Sequence, residues 1–298
     1  SFGADRYTDN NGILGTAFRF GKNDIDVGNL GSNLDTDTYN FSIYSTSPIM
    51  EDEKFLDTVF GIGKLSSNIL SVVDGENLTA DRDGHQMYGT IKLKEEIKKD
   101  NLILIPSWRL DIGHTILGSY KESGPGAIHV QKQHVGSKKI RAGLAVTEDL
   151  SSDNYFFKKH GKLEYVADFD RSSNFKYNYV SDPIDTFSEK LHSESLHNFN
   201  GELGLDLVLP NGFSIFMIYE RNQALGDSHT DKIHLALGYL PNKKTNYAFN
   251  LAGSENLGSE YKISKIINDF EIDFKLNNQD VLKPNSVDEA SVNIIRKF

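Results

Sequence analysis

Charged side chains stand at alternate positions in several short segments of this chain, and they are the groups whose spacing could carry a function. The set consists of Arg19, Lys92, Arg109, Asp111, Arg141, Glu164, Asp206 and Glu220. If these segments cross a membrane, the charges must face water or one another, because an unpaired charge facing lipid costs roughly 2–4 kcal/mol at the midplane. We therefore predict that they face a hydrated lumen. The lumen would hold a polypeptide segment, or its charges would form ion pairs that stabilise the wall.

Residues that commonly carry catalysis or bind metals are scattered along the chain. The nine His show no His-Glu-x-x-His or other tight ligand spacing. No Gly-x-Ser-x-Gly turn supports a serine nucleophile. Asp81, Asp83 and Gly84 resemble a calcium loop only weakly, since the later acidic ligand is absent. We predict no catalytic residue, no metal site and no cofactor, and we do not expect this chain to be an enzyme.

The elements that must position the charges are strands. In the segment that begins at Gly201, Leu203, Leu205 and Leu207 alternate with Gly204 and Asp206. Successive side chains of a strand point to opposite faces, so this period of two predicts one apolar face and one polar face. The pattern recurs in segments near 101–116, 137–147, 155–170, 231–240 and 270–277. The sequence therefore predicts an all-β protein.

The connections between these segments alternate in length. Short turns such as Asp9–Gly12 and Lys98–Asp100 alternate with longer connections such as Asp26–Asp37 and Ser67–Gly84. This alternation is typical of an antiparallel up-and-down transmembrane β-barrel with tight periplasmic turns and longer external loops. A soluble sheet with one wet face also alternates, but the sequence offers no helices or second set of strands to cover so many apolar faces. We therefore predict that the chain resides in the bacterial outer membrane and that outer-membrane lipid is one of its partners.

Composition agrees with this interpretation. No apolar run in the 298 residues approaches the roughly 20 residues of a membrane helix, whereas a barrel needs an apolar residue only at every second position. The net charge of −10 argues against binding to nucleic acid, for which a basic surface is the usual footprint. The absence of cysteine suits a chain that crosses the periplasm unfolded.

Several motifs, in their order and spacing, resemble the β-domain of type V autotransporters. They are Phe2–Arg6, Gly15–Gly21, Asp35–Tyr44, Pro106, Gly201–Leu205, Tyr219–Glu220 and Leu237–Tyr239. The resemblance covers residues 1–240 and implies a barrel of about twelve strands that ends near Tyr239. It also implies a first strand and a pore-plugging linker helix upstream of Ser1.

Residues 241–298 extend past the usual end of this family and add about four alternating segments. Together with one upstream strand they would bring the total to about sixteen, and bacterial barrels have even strand numbers. We therefore predict a single β-barrel domain over 1–298 with about 12–16 strands. The alternative is that the extension forms a separate small sheet.

The last residue, Phe298, closes an alternating segment that includes Val292 and Ile294. A terminal Phe resembles the signal read by the outer-membrane barrel assembly machinery, although Arg296 interrupts the apolar face. The resemblance implies a translocator and anchor that supports secretion or surface display of an upstream passenger segment of the same precursor. The alternatives are a general outer-membrane pore and a soluble secreted β-rich adhesin module.

Overall fold

The computed structural model describes residues 1–28, 30–50, 53–170, 172–192, 195–226, 228–283 and 288–296. The predicted assembly signal, Phe298, lies outside the described residues. Within them the chain is all β, and no helix is long and apolar enough to span a membrane.

The strands are long and follow one another closely in the sequence. In chain order they are β1 (Phe2–Tyr7), β2 (Ile13–Val27), β3 (Ser32–Met50), β4 (Lys54–Val73), β5 (Glu76–Glu95), β6 (Ile97–Lys99), β7 (Leu102–Leu117), β8 (Tyr120–Lys121), β9 (Ile128–Val130), β10 (Gln133–Asp149), β11 (Phe156–Asp168), β12 (Ser172–Tyr179), β13 (Phe187–His192), β14 (His197–Val208), β15 (Phe213–Ala224), β16 (His229–Asn242), β17 (Thr245–Gly253), β18 (Leu257–Ile267), β19 (Phe270–Asn278) and β20 (Asp288–Arg296).

One large sheet has the order β1-β2-β3-β4-β5-β7-β10-β11-β14-β15-β16-β17-β18-β19-β20, and β6 pairs beside β7. The remaining strands form a small sheet of order β13-β12-β9-β8. The pairs with a recorded register are all antiparallel. The expected up-and-down order of successive strands is therefore confirmed.

The chain divides into two compact units. The first contains Ser1–Glu95, Ser107–Ala142 and Val166–His197. The second contains Glu96–Pro106, Gly143–Tyr165 and Asn198–Phe298. Strands β7, β10 and β11, and β14 at its first residue, contribute residues to both units.

In the first unit, the strand register separates an apolar face from a polar face. Residues directly opposite one another in neighbouring strands share a face. Phe18, Phe41, Ile62, Met87 and His114 form one register row across β2, β3, β4, β5 and β7. Phe41 and Ile62 keep 45% and 52% of their surface exposed. A surface of this kind suits contact with lipid, because soluble monomers rarely expose large contiguous apolar patches.

Few apolar side chains are buried within the protein. Among the described residues, the buried hydrophobic set is Leu78, Ala127, Val130, Val166 and Ala167. A soluble protein of this length would bury far more apolar surface in a core. The strands of this chain instead turn their apolar side chains outward.

Two of the connections that the sequence predicts as long loops are strands in the structure. The segments Asp26–Asp37 and Ser67–Gly84 are mostly taken up by the ends of β2 and β3 and of β4 and β5. The second hairpin turns at Asp74 and Gly75, whose φ angles are 53° and 82°. Positive φ at both central residues is the geometry of a two-residue type I′ turn, which favours Asp-Gly.

The ends of β4 and β5 hold the small sheet of the first unit. Arg82 on β5 stacks its guanidinium 5.2 Å from the ring centroid of Tyr120. Its Nε donates a hydrogen bond to the Gly118 carbonyl at 2.9 Å, and its Nη2 donates to Gln133 Oε1 at 3.2 Å. On β4, Ser71 Oγ donates to the buried carboxylate of Glu122 at 3.0 Å.

In the second unit, β14 to β20 pair in chain order. Leu205, Met217, Leu235 and Leu251 form an apolar register row across β14 to β17. Strands β17 to β20, in residues 241–298, continue this pairing from β16. Their inclusion in one barrel domain with residues 1–240 stays a prediction.

We expect Leu205→Arg to impair membrane insertion by roughly 2–4 kcal/mol, because it places a charge on the apolar face of β14. Asp206→Asn is the matched control on the opposite face of the same strand and should have a much smaller effect. The measurement is the folded fraction after refolding into lipid vesicles, read from gel mobility without heating. Equal losses in both variants would show that the assignment of the two faces is wrong, since a shift of one residue exchanges them.

Candidate functional site

A carboxylate with two guanidinium partners lies on the polar face of the first unit. Arg109 Nε and Arg141 Nε each donate a hydrogen bond to Asp111, to Oδ1 and Oδ2 respectively, and both distances are 2.7 Å. Thr90 Oγ1 also donates to Asp111 Oδ1 at 2.7 Å. We call Thr90, Arg109, Asp111 and Arg141 the arginine cluster.

The arginine cluster follows from strand parity and register. Thr90 on β5 lies directly opposite Asp111 on β7. Arg109 precedes Asp111 by two positions, so both side chains share a face. Hydrogen bonds to a charged group are short and strong, as these are. Three donors therefore hold the carboxylate in one orientation.

The arginine cluster carries more positive than negative charge, and part of it faces solvent. Asp111 has 15% of its side chain exposed, whereas Arg109 has 40% and Arg141 has 22%. Lys92 lies directly opposite Arg109 and adds a further positive charge beside the arginine cluster. Each guanidinium has five N–H donors, and one carboxylate uses only part of this capacity. The exposed edges can donate to carbonyl or carboxylate oxygens of another group.

Charges of both signs continue along this face of the first unit. Lys94 Nζ lies 3.1 Å from Asp57 Oδ2, and Asp57 is directly opposite Lys92. Lys139 Nζ lies 3.2 Å from Asp168 Oδ2. These two pairs are not among the charged residues predicted from the sequence. Their alternate spacing, which places them on the same strand face as Arg109 and Arg141, is the pattern that could have identified them.

Arg19 lies apart from the arginine cluster. It is exposed on β2 and lies opposite Asn40 on β3. Asn40 Oδ1 accepts a hydrogen bond from Gln86 Nε2 across the intervening strand β4. The polar face is thus lined by amides as well as charges in this part of the first unit.

The second unit contains the other three predicted residues. Glu164 has 7% of its surface exposed, and its carboxylate lies 3.5 Å from Lys162 Nζ. Asp206 is partly buried opposite Phe216. Glu220 lies between Glu202 and Lys232 in the strand register. The structure thus joins three of the eight predicted residues in one hydrogen-bonded group, and the predicted lumen-facing role of all eight stays a prediction.

Comparison with known proteins decides the family. The model of the autotransporter β-domain matches residues 1–220. The chain belongs to the autotransporter β-domain family. It is thus an outer-membrane translocator and anchor domain, and its fold class is the all-β antiparallel up-and-down β-barrel of this family. The family also implies a passenger segment upstream on the same precursor.

Solved structures with similar folds include two receptors at very low sequence identity. One is BauA, the ferric preacinetobactin receptor from Acinetobacter baumannii, with a TM-score of 0.53 and 8% identity over 98% of this chain and 63% of the receptor. The other is FyuA, the ferric yersiniabactin uptake receptor from Yersinia pestis, with a TM-score of 0.50 and 8% identity over 95% of this chain and 58% of the receptor. The chain thus spans about three-fifths of each receptor. These likenesses concern the fold alone.

An autotransporter structure also matches, at a lower score. The translocator domain of autotransporter NalP from Neisseria meningitidis has a TM-score of 0.43 and 12% identity over 83% of this chain and 84% of that domain. Family membership therefore rests on the family model and not on this structural similarity. No curated protein matches the chain.

We expect Asp111→Asn to lower the free energy of unfolding by about 1–3 kcal/mol, because the two guanidinium groups lose their charged acceptor. The measurement is urea unfolding of the chain refolded in lipid vesicles, followed by gel mobility without heating. Asp26→Asn, at an exposed carboxylate on β2, is the control and should have little effect. A loss as small as that of the control would mean that the arginine cluster does not contribute to stability.

Proposed function

We propose that the polar face of β5, β7 and β10 holds an extended segment of the passenger while that segment passes through, or rests in, the lumen. The supporting observation is the arginine cluster, in which Arg109 and Arg141 are held by Asp111 and remain partly exposed. A guanidinium in a fixed orientation can donate to successive backbone carbonyls without reading side chains. This suits a domain that must accept any sequence in transit.

The mixture of charges along this face also suits transit. Lys92 and the arginine cluster lie near the pair Asp57–Lys94, so a passing segment meets both signs within a few residues. Neither an acidic nor a basic segment would then bind too tightly to leave. The chain itself would carry no catalysis, and any enzymatic or adhesive activity would belong to the passenger.

Cross-linking from single cysteines tests this function in the complete precursor. The chain has no cysteine of its own, so the introduced group is unique within it. Ser137→Cys on β10 lies on the polar face, because a Cβ placed on Gly113 of β7 would meet the Ser137 Cβ at 3.6 Å. Ile140→Cys lies on the apolar face of the same strand and is the matched control.

We expect Ser137→Cys to form disulfides with a cysteine in the passenger segment nearest the domain, and Ile140→Cys to form none. Cross-links from both positions, or from neither, would exclude a passenger segment on this face. A large conductance of the same precursor in planar bilayers, without cross-links, would favour the general pore instead.

We further propose that the barrel assembly machinery recognises the final strand. In β20, Val292 and Ile294 lie opposite Phe274 and Ile272 of β19, so they continue an apolar face toward the end of the chain. Phe298, which lies outside the described residues, is the part of the signal that the sequence predicts. A strand of this kind offers both an apolar side-chain pattern and a backbone edge for recognition.

We expect Phe298→Ser to slow assembly in cells severalfold while refolding in detergent keeps its normal rate, because a recognition signal matters only when the machinery is present. Lys297→Ser is the neighbouring control and should assemble normally. The measurement is a pulse-chase of heat-modifiable gel mobility in cells, compared with refolding of purified chain. If both processes slow equally, Phe298 contributes to stability and is not a signal.

A further inference from the structure

On β4 and β5 the apolar face of the first unit ends at two basic residues, whereas Phe20, Tyr39 and Ile116 continue it in the same register row on β2, β3 and β7. On β4 the sequence of side chains along this face is Phe60, Ile62 and then Lys64. Lys64 lies directly opposite His85 on β5, where Met87 is the last apolar residue. With about 3.3 Å per residue, this boundary is about 30 Å along the strand from the start of β4 at Lys54. A strand tilted by about 40° needs about this length to cross an apolar band about 25 Å tall.

Two more imidazoles lie nearby, and the first of them belongs to the next register row toward the apolar face. His114 on β7 lies opposite Met87, and its Nε2 is 3.2 Å from Nδ1 of His134 on β10. The two rings are centred 5.4 Å apart. A neutral imidazole has one N–H donor and one acceptor nitrogen. The ring that accepts in this contact therefore keeps its own N–H, which can donate to another group. We call Lys64, His85, His114 and His134 the basic row.

Acidic neighbours of the basic row are few and exposed. Lys64 Nζ lies 3.7 Å from Asp83 Oδ1, with 54% and 63% of the two side chains exposed. Exposed pairs of this kind contribute little, so Lys64 can turn to another anion. Asp37 on β3 shares the face one register position beyond Tyr39. Both carboxylates lie on the far side of the basic row from the apolar residues.

A hollow in the protein surface adjoins the basic row on its apolar side. It has a volume of about 490 Å³, and its lining includes Lys64, His85 and His114 together with apolar side chains. The apolar lining consists of Phe18, Tyr39, Phe41, Ile62, Met87 and Ile116. Polar donors of Lys64, His85, Gln86 and His114 therefore line a space whose other walls are mostly hydrocarbon or aromatic.

A second hollow occupies the next register positions of the same face. Its volume is about 460 Å³, and Ile43, Phe60 and Ile112 are part of its lining. Gly89 lies in register with Phe60 and Ile112 and contributes no side chain, which leaves the space open. The two hollows follow each other along the strands, one below the basic row and one deeper in the apolar band.

The basic row lies toward the external end of the strands. Beyond His114, β7 ends at Leu117 and leads into the long connection that carries β8 and β9. At its other end, β7 follows the short turn at Asp100. Long connections mark the external side of such domains and short turns the periplasmic side. The basic row therefore stands at the level of the outer leaflet.

We propose that this surface binds a phosphorylated acyl lipid of the outer leaflet. A phosphate accepts hydrogen bonds from Lys64, His85 and the histidine pair, while one acyl chain occupies the two hollows. Charge and shape agree, because cationic donors meet an anionic head group at the place where the apolar surface begins. The proposal concerns the lipid surface of the domain and is independent of how the passenger crosses.

Native mass spectrometry of the full chain, refolded and delipidated in detergent, can measure this binding. The probes are lipid A, which is an acylated disaccharide with phosphates, its dephosphorylated form, and inorganic phosphate. The variants are Lys64→Glu, the double variant H85Q/H114Q, and Gly89→Leu, which fills the deeper hollow. A Cβ at Gly89 meets its nearest atoms at 3.7 Å, so the larger residue can be accommodated.

Lys98→Glu is the matched control. Lys98 is likewise exposed and lies 3.7 Å from one acidic side chain, that of Glu96, but it stands by the short turn before β7. Unheated gel mobility must show that every variant is folded before binding is compared. The titrations are run with and without EDTA, so that binding through a divalent cation held by Asp83 is recognised.

We expect lipid A to bind the wild type and the control equally, with at least a tenfold loss in each of the three site variants. The dephosphorylated lipid and inorganic phosphate should each bind at least tenfold more weakly than lipid A, because the site binds the phosphate and the acyl chain together. Equal binding of dephosphorylated lipid would overturn the phosphate site, and equal binding by Gly89→Leu would overturn the acyl site. Loss of binding in EDTA would show that a divalent cation, and not the basic row, holds the phosphate.

Discussion

Every backbone N–H and C=O group of a strand inside a bilayer must be paired within the protein, because hydrocarbon offers no partner. The strands inside the large sheet, from β2 to β19 along its order, have a paired neighbour on each side, which is the arrangement that meets this requirement. Strand β4 is paired on both sides, to β3 and β5, over almost all of its 20 residues. The pairing also fixes the register, and the register decides which side chains meet lipid and which meet water.

The arginine cluster depends on this register more than on local sequence. Arg109 and Asp111 are two positions apart on β7, but Thr90 and Arg141 come from other strands. A shift of one residue in β5 or β10 would turn these partners to the lipid side. The cost of a charge in lipid thus opposes misregistered pairing, and the polar face helps to specify the fold as well as to line a passage.

Close packing on the polar face is also set by register. Tyr44 on β3 lies opposite Gly15 on β2, and its hydroxyl donates to Asp5 Oδ2 on β1 at 2.9 Å. A Cβ on Gly15 would stand 2.5 Å from Tyr44 Cζ, so the ring can cross the strand only because position 15 is glycine. One aromatic side chain thereby links three neighbouring strands of the first unit.

Much of the fold follows from the sequence, because alternation with a period of two assigns each side chain of a strand to one of its two faces. The parity assigned to β7, β10 and β14 agrees with the observed register, as do the types of residue on each face. The partners of Asp111 could not be predicted, because a single sequence does not give the register between neighbouring strands. The motifs quoted for residues 1–240 identified the family that the model matches over residues 1–220.

The extent of the strands was harder to predict than their existence. Past the apolar band the alternation is lost, because Ile69, Leu70, Val72 and Val73 place apolar residues on both faces of β4. Ser67–Gly84 therefore looks like a loop. The Asp74–Gly75 pair was the overlooked signal, since Asp-Gly between paired strands favours a two-residue turn. Outside the membrane a strand needs no apolar face, and backbone pairing alone can continue it.

These extensions explain how the external part of the first unit is ordered. The small sheet has a minimal core, in which Val130 is fully buried, and a core of this size could not fold by itself. Arg82 and Ser71 stand on the extended parts of β5 and β4. The Arg82 guanidinium stacks on Tyr120 of β8, and the two side chains donate hydrogen bonds to residues that flank β8 and β9. The parts of β4 and β5 that extend beyond the membrane therefore have a structural role, because they supply the surface on which the connections after β7 and β11 can fold.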